Sequence, residues 1–219
     1  MIKYEILSSG SKGNAVIIND HILIDCGVPF KVIEPYLQNL SLVLLTHIHS
    51  DHFYETTIKK MAGLRPMLRF GCCNWLVPEL LKARVPQRNI DVYDINFNGL
   101  YTYKDFVQLS PVPLFHNVPN CGYKLFLPEG KLFYATDTNS LYGIEAKDFD
   151  LYMIEANHGT EEIQKRIREK QSEGIYSYEV DAMKNHLSKE KCDQFLVENA
   201  GPTSQFIYMH CHAGLESEF

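Results

Sequence analysis

The stretch Thr46-His47-Ile48-His49-Ser50-Asp51-His52 places three imidazoles and one carboxylate within six positions. Such nitrogen and oxygen donors suit Zn²⁺, Mn²⁺ or Fe²⁺. The apolar run at 42–45 directly precedes them and predicts a short buried strand, so the cluster falls where that strand ends. Alternation along an extended segment points His47 and His49 to the same side, while Asp51 and His52 follow a turn and can face a second ion. The pattern therefore indicates metal binding, and a polar loop with solvent-exposed histidines is the weaker alternative.

The size of the chain favours a single domain over residues 1–219. With 219 residues and 45% hydrophobic content, the chain can bury a full core, and no Pro/Gly/Ser-rich linker, charge block or repeat divides it. The net charge is −6, so the protein as a whole does not attract polyanions. Any contact with nucleic acid must then depend on a local surface.

The first residues alternate in polarity like a strand, and they lack the apolar core of a signal peptide. No apolar run is long enough to cross a bilayer, which argues against a membrane partner. The six cysteines show no CxxC spacing, which is typical of reduced thiols. We expect a cytoplasmic protein, and the sequence leaves its oligomeric state open.

Apolar patterning predicts an α/β chain that begins with a β meander. Predicted strands cover residues 2–7, 14–19 and 21–25, and short strands of a second sheet fall between 87 and 155. Helices are predicted at 29–38, 53–62, 73–83 and 160–172, and one more starts at Ser188. A last strand at 205–209 leads into His210.

The motif HxHxDH, matched at every position from His47 to His52, resembles that of the metallo-β-lactamase-fold hydrolases. This resemblance implies a four-layer αββα sandwich of two mixed sheets. It also implies a dinuclear centre, for which zinc is the favoured metal, with manganese or iron as alternatives. Asp51 would then be both a metal ligand and a catalytic residue.

Two further ligand candidates follow apolar runs in the same way as the first cluster. His116 comes after 112–115, and Asp137 comes after 132–135 within Ala135-Thr136-Asp137-Thr138. The resemblance implies that His116 completes one metal shell and that Asp137 bridges both ions. Taken singly, each has a plain structural alternative, a hydrogen-bonded histidine or a turn aspartate.

The final ligand has two candidates, His210 and His212. The resemblance favours His210, because related enzymes place this ligand at the end of the last strand. It further implies that His186 is a catalytic residue over the scissile phosphate rather than a ligand, and that Asp25 supports a ligand histidine. For His186, an ordinary loop histidine remains the alternative, and His158 has no assigned role.

The loop at 8–14, together with Asp25 and the segments at 155–158 and 185–188, resembles the WalJ (YycJ-like) branch of bacterial and phage DNA exonucleases. The His210-Cys211-His212 ending departs from the His-Leu-Ser that is usual in that branch. The implied activity is phosphodiester hydrolysis by a metal-bridging hydroxide, with nucleic acid as one substrate. A cyclic-nucleotide phosphodiesterase and a carbon-centred thioesterase or lactonase are the alternatives.

Overall fold

A computed structural model describes residues 1–211, and His212, the second candidate for the final ligand, lies outside them. The chain divides into two units, each built around its own sheet. Unit 1 comprises Met1–Pro111 with Leu127–Glu129, and unit 2 comprises Val112–Phe126 with the chain from Gly130 onward. Among the described residues, every helix is too short or too polar to span a bilayer.

The sheet of unit 1 contains six strands in sequence order: β1 Tyr4–Ser8, β2 Ala15–Ile18, β3 Ile22–Ile24, β4 Leu42–Leu44, β5 Arg69–Cys73 and β6 Ile90–Tyr93. Strands β1 to β3 form the predicted antiparallel meander. From β3 to β6 the pairing is parallel, and every residue of β2, β3 and β4 is buried. Continuous apolar runs are typical of parallel strands that are covered on both faces.

The parallel register of β3 and β4 places two polar segments at one edge of the sheet. Ile24 lies opposite Leu44, so Asp25 and the residues that follow β4 emerge side by side. Helices α1 Phe30–Ile33, α2 Glu55–Leu64 and α3 Val77–Lys82 connect these strands, and a short hairpin joins β7 Tyr101–Tyr103 to the first part of β8 Val107–Leu114.

Within its described residues, unit 2 contains the end of β8 and four further strands: β9 Asn120–Leu127, β10 Gly130–Ala135, β11 Leu151–Glu155 and β12 Gln205–Met209. The strand order is β12-β11-β10-β9-β8, and β10, β11 and β12 are parallel. Their carboxyl ends therefore meet at one edge, with Ala135 opposite Ile154 and Glu155 opposite Met209. The helices of this unit are α4 Thr160–Ser172, α5 Glu179–Asn185 and α6 Lys189–Asn199.

Several predicted elements are confirmed, with small shifts in their bounds. Helix α4 and strand β12 match their predicted ranges, and α2 runs two residues later than predicted, over Glu55–Leu64. Helix α6 begins after Ser188, whose side chain accepts a hydrogen bond from the Lys191 N–H and so caps the helix.

Two predicted helices were wrong in detail, and two elements were not predicted. The helix predicted at 29–38 ends at Ile33, because Pro35 has no backbone N–H with which to continue the helical hydrogen bonds. The helix predicted at 73–83 is a 3-10 turn, Asn74–Leu76, followed by α3, where Pro78 is tolerated in the first turn. Strand β5 before it and helix α5 were not predicted.

Candidate metal centre

The HxHxDH segment of unit 1 forms a tight turn after β4. The His52 N–H donates to the His49 carbonyl at 2.9 Å, which closes the turn. The rings of His47 and His52 are fully buried, and their centroids lie 4.2 Å apart. The ring of His49 lies 4.9 Å from that of His47. The three imidazoles that the motif predicts as ligands are thus gathered in one cluster.

Asp25 orients two of these histidines. Its Oδ2 lies 2.7 Å from the His52 Nδ1, and its Oδ1 accepts hydrogen bonds from the Thr46 N–H and hydroxyl at 3.0 and 2.9 Å. Because the Thr46 hydroxyl donates its one proton to Asp25, it accepts from the His47 Nδ1, which lies 3.0 Å away. Both rings therefore carry the proton on Nδ1 and leave Nε2 unprotonated, the tautomer that metal-binding histidines adopt.

The backbone around Asp25 is held in an uncommon conformation. Asp25 has φ of 58°, in the left-handed region. Gly27, two residues later, approaches the HxHxDH turn so closely that an added Cβ would lie 1.7 Å from the Asp51 carbonyl oxygen. Strained backbone of this kind is frequent where a site fixes side-chain geometry.

Asn14 ties the loop after β1 to the same turn. Its N–H donates to the Asp51 carbonyl at 2.6 Å, and its Nδ2 lies 2.8 Å from the His52 Nε2. The Asp51 Oδ2 is 3.8 Å from that same ring nitrogen. Sequence reasoning missed Asn14, since an asparagine in a Gly/Ser loop looks like an ordinary turn residue.

In unit 2, three imidazoles surround the carboxylate of Asp137. Its Oδ1 lies 3.9 Å from the His116 Nε2, 3.6 Å from the His186 Nδ1 and 3.7 Å from the His210 Nε2. Asp137 follows β10 with φ of 57°, and His210 follows β12 with φ of 52°. The structure therefore brings together the three residues of unit 2 that the sequence predicts as ligands, and it places His186 among them.

The His116 ring is oriented by a backbone group, since its Nδ1 lies 3.1 Å from the Asn185 carbonyl oxygen. A carbonyl can only accept, so the His116 Nδ1 carries the proton and its Nε2 presents a lone pair.

His158, to which the sequence assigns no role, lies with its ring 3.4 Å from the Asn157 side chain. Burial lowers the pKa of His158, which favours its neutral form.

Glu155, at the end of β11, organises the unit 2 cluster and was missed by sequence reasoning. Its Oε1 lies 2.6 Å from the His186 Nδ1 and 3.2 Å from the His210 Nδ1. Its Oε2 accepts the N–H groups of Thr138 and Leu187 at 2.9 and 3.1 Å. The available signal was its position directly after an apolar strand, the same signal that identified Asp137.

The surroundings of Glu155 and His186 favour a charged Glu155 carboxylate beside a protonated His186 imidazole. Burial acts to raise the pKa of Glu155, but the hydrogen bond and charge of His186 outweigh it and hold that pKa below its usual value. Burial likewise acts to lower the pKa of His186, and the bond to Glu155 and the charge of Asp137 raise it instead.

The donors in both units fit a divalent transition metal. His47, His52, Asp137 and His210 are each at most 5% exposed. Buried imidazoles and carboxylates are costly unless they are paired or coordinate a metal. In unit 2, ligand atoms of Asp137, Glu155, His186 and His210 lie within 4.8 Å of one another. The mixed nitrogen and oxygen donors suit Zn²⁺, Mn²⁺ or Fe²⁺ better than Mg²⁺ or Ca²⁺, which prefer oxygen alone.

Buried histidines and carboxylates at the carboxyl ends of parallel strands define the class of this protein as a metal-dependent hydrolase. The chain belongs to the beta-lactamase superfamily domain family, whose model matches residues 20–189. This membership confirms the family that the HxHxDH motif indicated.

Two relatives in sequence are consistent with this assignment. A UPF0173 metal-dependent hydrolase of Thermococcus onnurineus is 27% identical over 164 residues, which cover 65% of this chain and 68% of the relative. The exodeoxyribonuclease WalJ of Streptococcus pneumoniae is 25% identical over 227 residues, which cover 94% of this chain and 80% of the relative.

Solved structures agree on the fold. The metallo-beta-lactamase fold protein YhfI of Bacillus subtilis superposes with a TM-score of 0.72 at 14% identity, over 96% of this chain and 86% of that one. The short form of human tRNase Z gives the same TM-score and identity, over 99% of this chain and 94% of that one. The predicted metallo-β-lactamase fold, with two mixed sheets and helices, is therefore confirmed.

Proposed function

We propose that this hydrolase is a phosphodiesterase that acts on nucleotide or nucleic-acid diesters with the help of two divalent metal ions. The observation that carries the proposal is the Glu155–His186 pair, with 2.6 Å between Oε1 and Nδ1, beside the carboxylate of Asp137. A protonated imidazole held in this way can donate a proton to an alkoxide leaving group, which the hydrolysis of an alkyl phosphodiester requires.

The proposed ligands come from the two clusters already described. Unit 1 supplies His47, His49, Asp51 and His52, and unit 2 supplies His116, Asp137 and His210. We favour zinc, with manganese or iron as alternatives, because imidazole donors predominate. His210 is the preferred final ligand, because its Nδ1 lies against Glu155, which leaves Nε2 for the metal.

The roles of the protein groups follow from their surroundings. When bound, divalent ions lower the pKa of coordinated water and neutralise charge on phosphoryl oxygens. Asp51, whose side chain is 21% exposed, can orient the attacking water and accept its proton. The imidazole of His186 can protonate a leaving oxygen through Nε2, while Glu155 holds its Nδ1. Asp25 fixes the His47 and His52 rings throughout.

The names of the relatives support a phosphodiester substrate. WalJ is named an exodeoxyribonuclease, and the name tRNase Z denotes an enzyme that cleaves RNA. The net charge of −6 favours a small diester, such as a cyclic nucleotide, as the second candidate. Polymer binding draws on counterion release from a basic surface, so a long nucleic acid would need a local basic track.

The deciding experiment compares substrates under one set of conditions. The purified protein, loaded separately with Zn²⁺ and Mn²⁺, is assayed with bis-p-nitrophenyl phosphate, an aryl ester and a lactone, with Asp51→Ala as the blank. We expect diester turnover that the Asp51→Ala protein lacks. Turnover of the ester or lactone alone would contradict the proposal and point to a carbon-centred hydrolase.

A further inference from the structure

Unit 2 contains a cavity of about 310 Å³ that the proposed chemistry does not use. It lies between the segment after Asp137 and helix α6, and it is lined by Ser140, Leu141, Tyr142, Lys191, Gln194, Phe195 and Glu198. Its volume is at the lower end of the range for small-ligand pockets, roughly 300–1,000 Å³. It can hold one ring system rather than a polymer.

The two segments that lead into the walls of this cavity are both hydrogen-bonded to the Glu155 carboxylate. The loop wall begins at Thr138, whose N–H donates to Glu155 at 2.9 Å. The helix wall begins just after Leu187, whose N–H donates to the same oxygen at 3.1 Å. Ser140 is three residues from Asp137, a distance of at most about 11 Å along an extended chain. This separation places the Ser140 end of the cavity beside the backbone of Asp137.

The lining combines an aromatic surface with hydrogen-bonding groups. Leu141 and Phe195 are buried and provide an apolar floor, whereas Tyr142 is 91% exposed and can cover a ring from above. Gln194 donates to Glu198 at 3.0 Å, and this leaves one amide N–H and several acceptor oxygens at the edge. Flat heterocycles stack on aromatic side chains, and a glutamine or glutamate recognises their exocyclic amino groups.

Lys191 adds a positive charge to the same wall. Its ammonium group donates to the Asn139 carbonyl at 2.9 Å, which uses one of its three donors. Two donors remain for an anionic ligand. The cavity thus combines a stacking surface, an edge for hydrogen bonds and a cation, as a nucleotide requires.

We propose that this cavity is a subsite for the nucleobase of the substrate, and that an amino-bearing base such as adenine fits it best. The inference rests on the proposed function in one respect, because it places the base next to the scissile phosphate. The subsite predicts a preference for nucleotides over diesters that lack a base.

Binding to the metal-free protein tests the subsite without any catalysis. Calorimetry would compare adenosine 5′-monophosphate with ribose 5-phosphate, which differ only in the base. We expect the nucleotide to bind about tenfold more tightly, as one stacked base provides. Tyr142→Ala should abolish this ratio and Tyr142→Phe should retain it. Val197→Ala is the matched control, since Val197 lies on α6, is 85% exposed and does not line the cavity.

Two outcomes would overturn the subsite: equal affinity for the two ligands in the unaltered protein, or a ratio that Tyr142→Ala leaves unchanged. Gln194→Leu provides a second test within the helix, and it should weaken adenine binding while leaving ribose 5-phosphate unaffected. If the nucleotide preference is present but no diester is hydrolysed, the subsite stands and the proposed function fails. If diesters are hydrolysed without any nucleotide preference, the proposed function stands and the subsite fails.

Discussion

Replacing Glu155 by glutamine should weaken metal binding without changing the size of the side chain. One carboxylate oxygen of Glu155 faces the Nδ1 atoms of His186 and His210 at 2.6 and 3.2 Å, and the other accepts two backbone N–H groups. A glutamine must turn its NH₂ toward one of these pairs, so at least one pair of donors would face a donor. The negative charge that orients both rings would also be lost.

The magnitude follows from these contacts. Removing a group that orients a metal-binding histidine typically costs 10–100-fold in metal affinity, or about 1.4–2.8 kcal/mol. A buried donor left without its acceptor adds about 1–3 kcal/mol to the loss of folding stability. We therefore expect Zn²⁺ affinity to fall by at least about tenfold and the metal-free protein to unfold at lower urea concentration.

Competition with a chromogenic chelator would measure the affinity, and urea unfolding of the metal-free protein would measure the stability. Glu169→Gln is the matched control, because it makes the same chemical change at an exposed position of α4. If Glu155→Gln binds Zn²⁺ as tightly as the unaltered protein, Glu155 does not orient the ligands.

Three further predictions concern stability and the unit 1 cluster. Asp25→Asn should lower Zn²⁺ affinity about 10–100-fold in the same chelator assay, because both histidine rings lose their orienting carboxylate. Gly27→Ala should abolish folding or metal binding, since its Cβ would lie 1.7 Å from a backbone oxygen. Gly63→Ala is the contrasting change within α2, because an added Cβ there meets nothing within 4 Å. It should raise the free energy of unfolding by about 0.5–1 kcal/mol, as measured by urea unfolding. Burial acts to raise the pKa of Glu190, but its hydrogen bonds to Thr160 outweigh burial and lower the pKa from 4.5 to about 2. The contribution of Glu190 to folding stability is therefore present above pH 4.5 and is lost as the pH falls toward 2. Glu190→Gln should therefore lower the free energy of unfolding by about 1 kcal/mol at pH 7, the value of a helix cap, and by almost nothing near pH 2. An equal loss at both pH values would contradict this prediction.

The sequence predicts the parts of the site that depend on local pattern. Apolar runs shortly before His47, His116 and Asp137 predicted strands with polar side chains at their carboxyl ends. Parallel pairing explains why the ends of β3 and β4 meet in unit 1 and why those of β10, β11 and β12 meet in unit 2. Glu155 obeyed the same rule, but a lone acidic residue after a strand is also typical of a surface turn. Only its complete burial distinguishes it.

Other features depend on contacts between residues that are distant in sequence. Asn14 and His52 are 38 positions apart, and no local pattern indicates that their side chains lie 2.8 Å from each other. Asp25 and Asp137 have left-handed backbone conformations although neither is a glycine. Tertiary packing sets these conformations, and the local sequence does not indicate them. The nucleobase subsite has the same origin, because its walls come from a loop and a helix that only folding brings together.

The requirement for two metal ions is tested by a single titration in which metal content and diesterase activity are measured together. Metal-free protein receives increasing equivalents of Zn²⁺ or Mn²⁺, and bound metal is quantified alongside turnover of bis-p-nitrophenyl phosphate. We expect no turnover without metal and a rise in turnover until two ions are bound per chain. Full turnover in the metal-free protein, or at one bound ion, would contradict it.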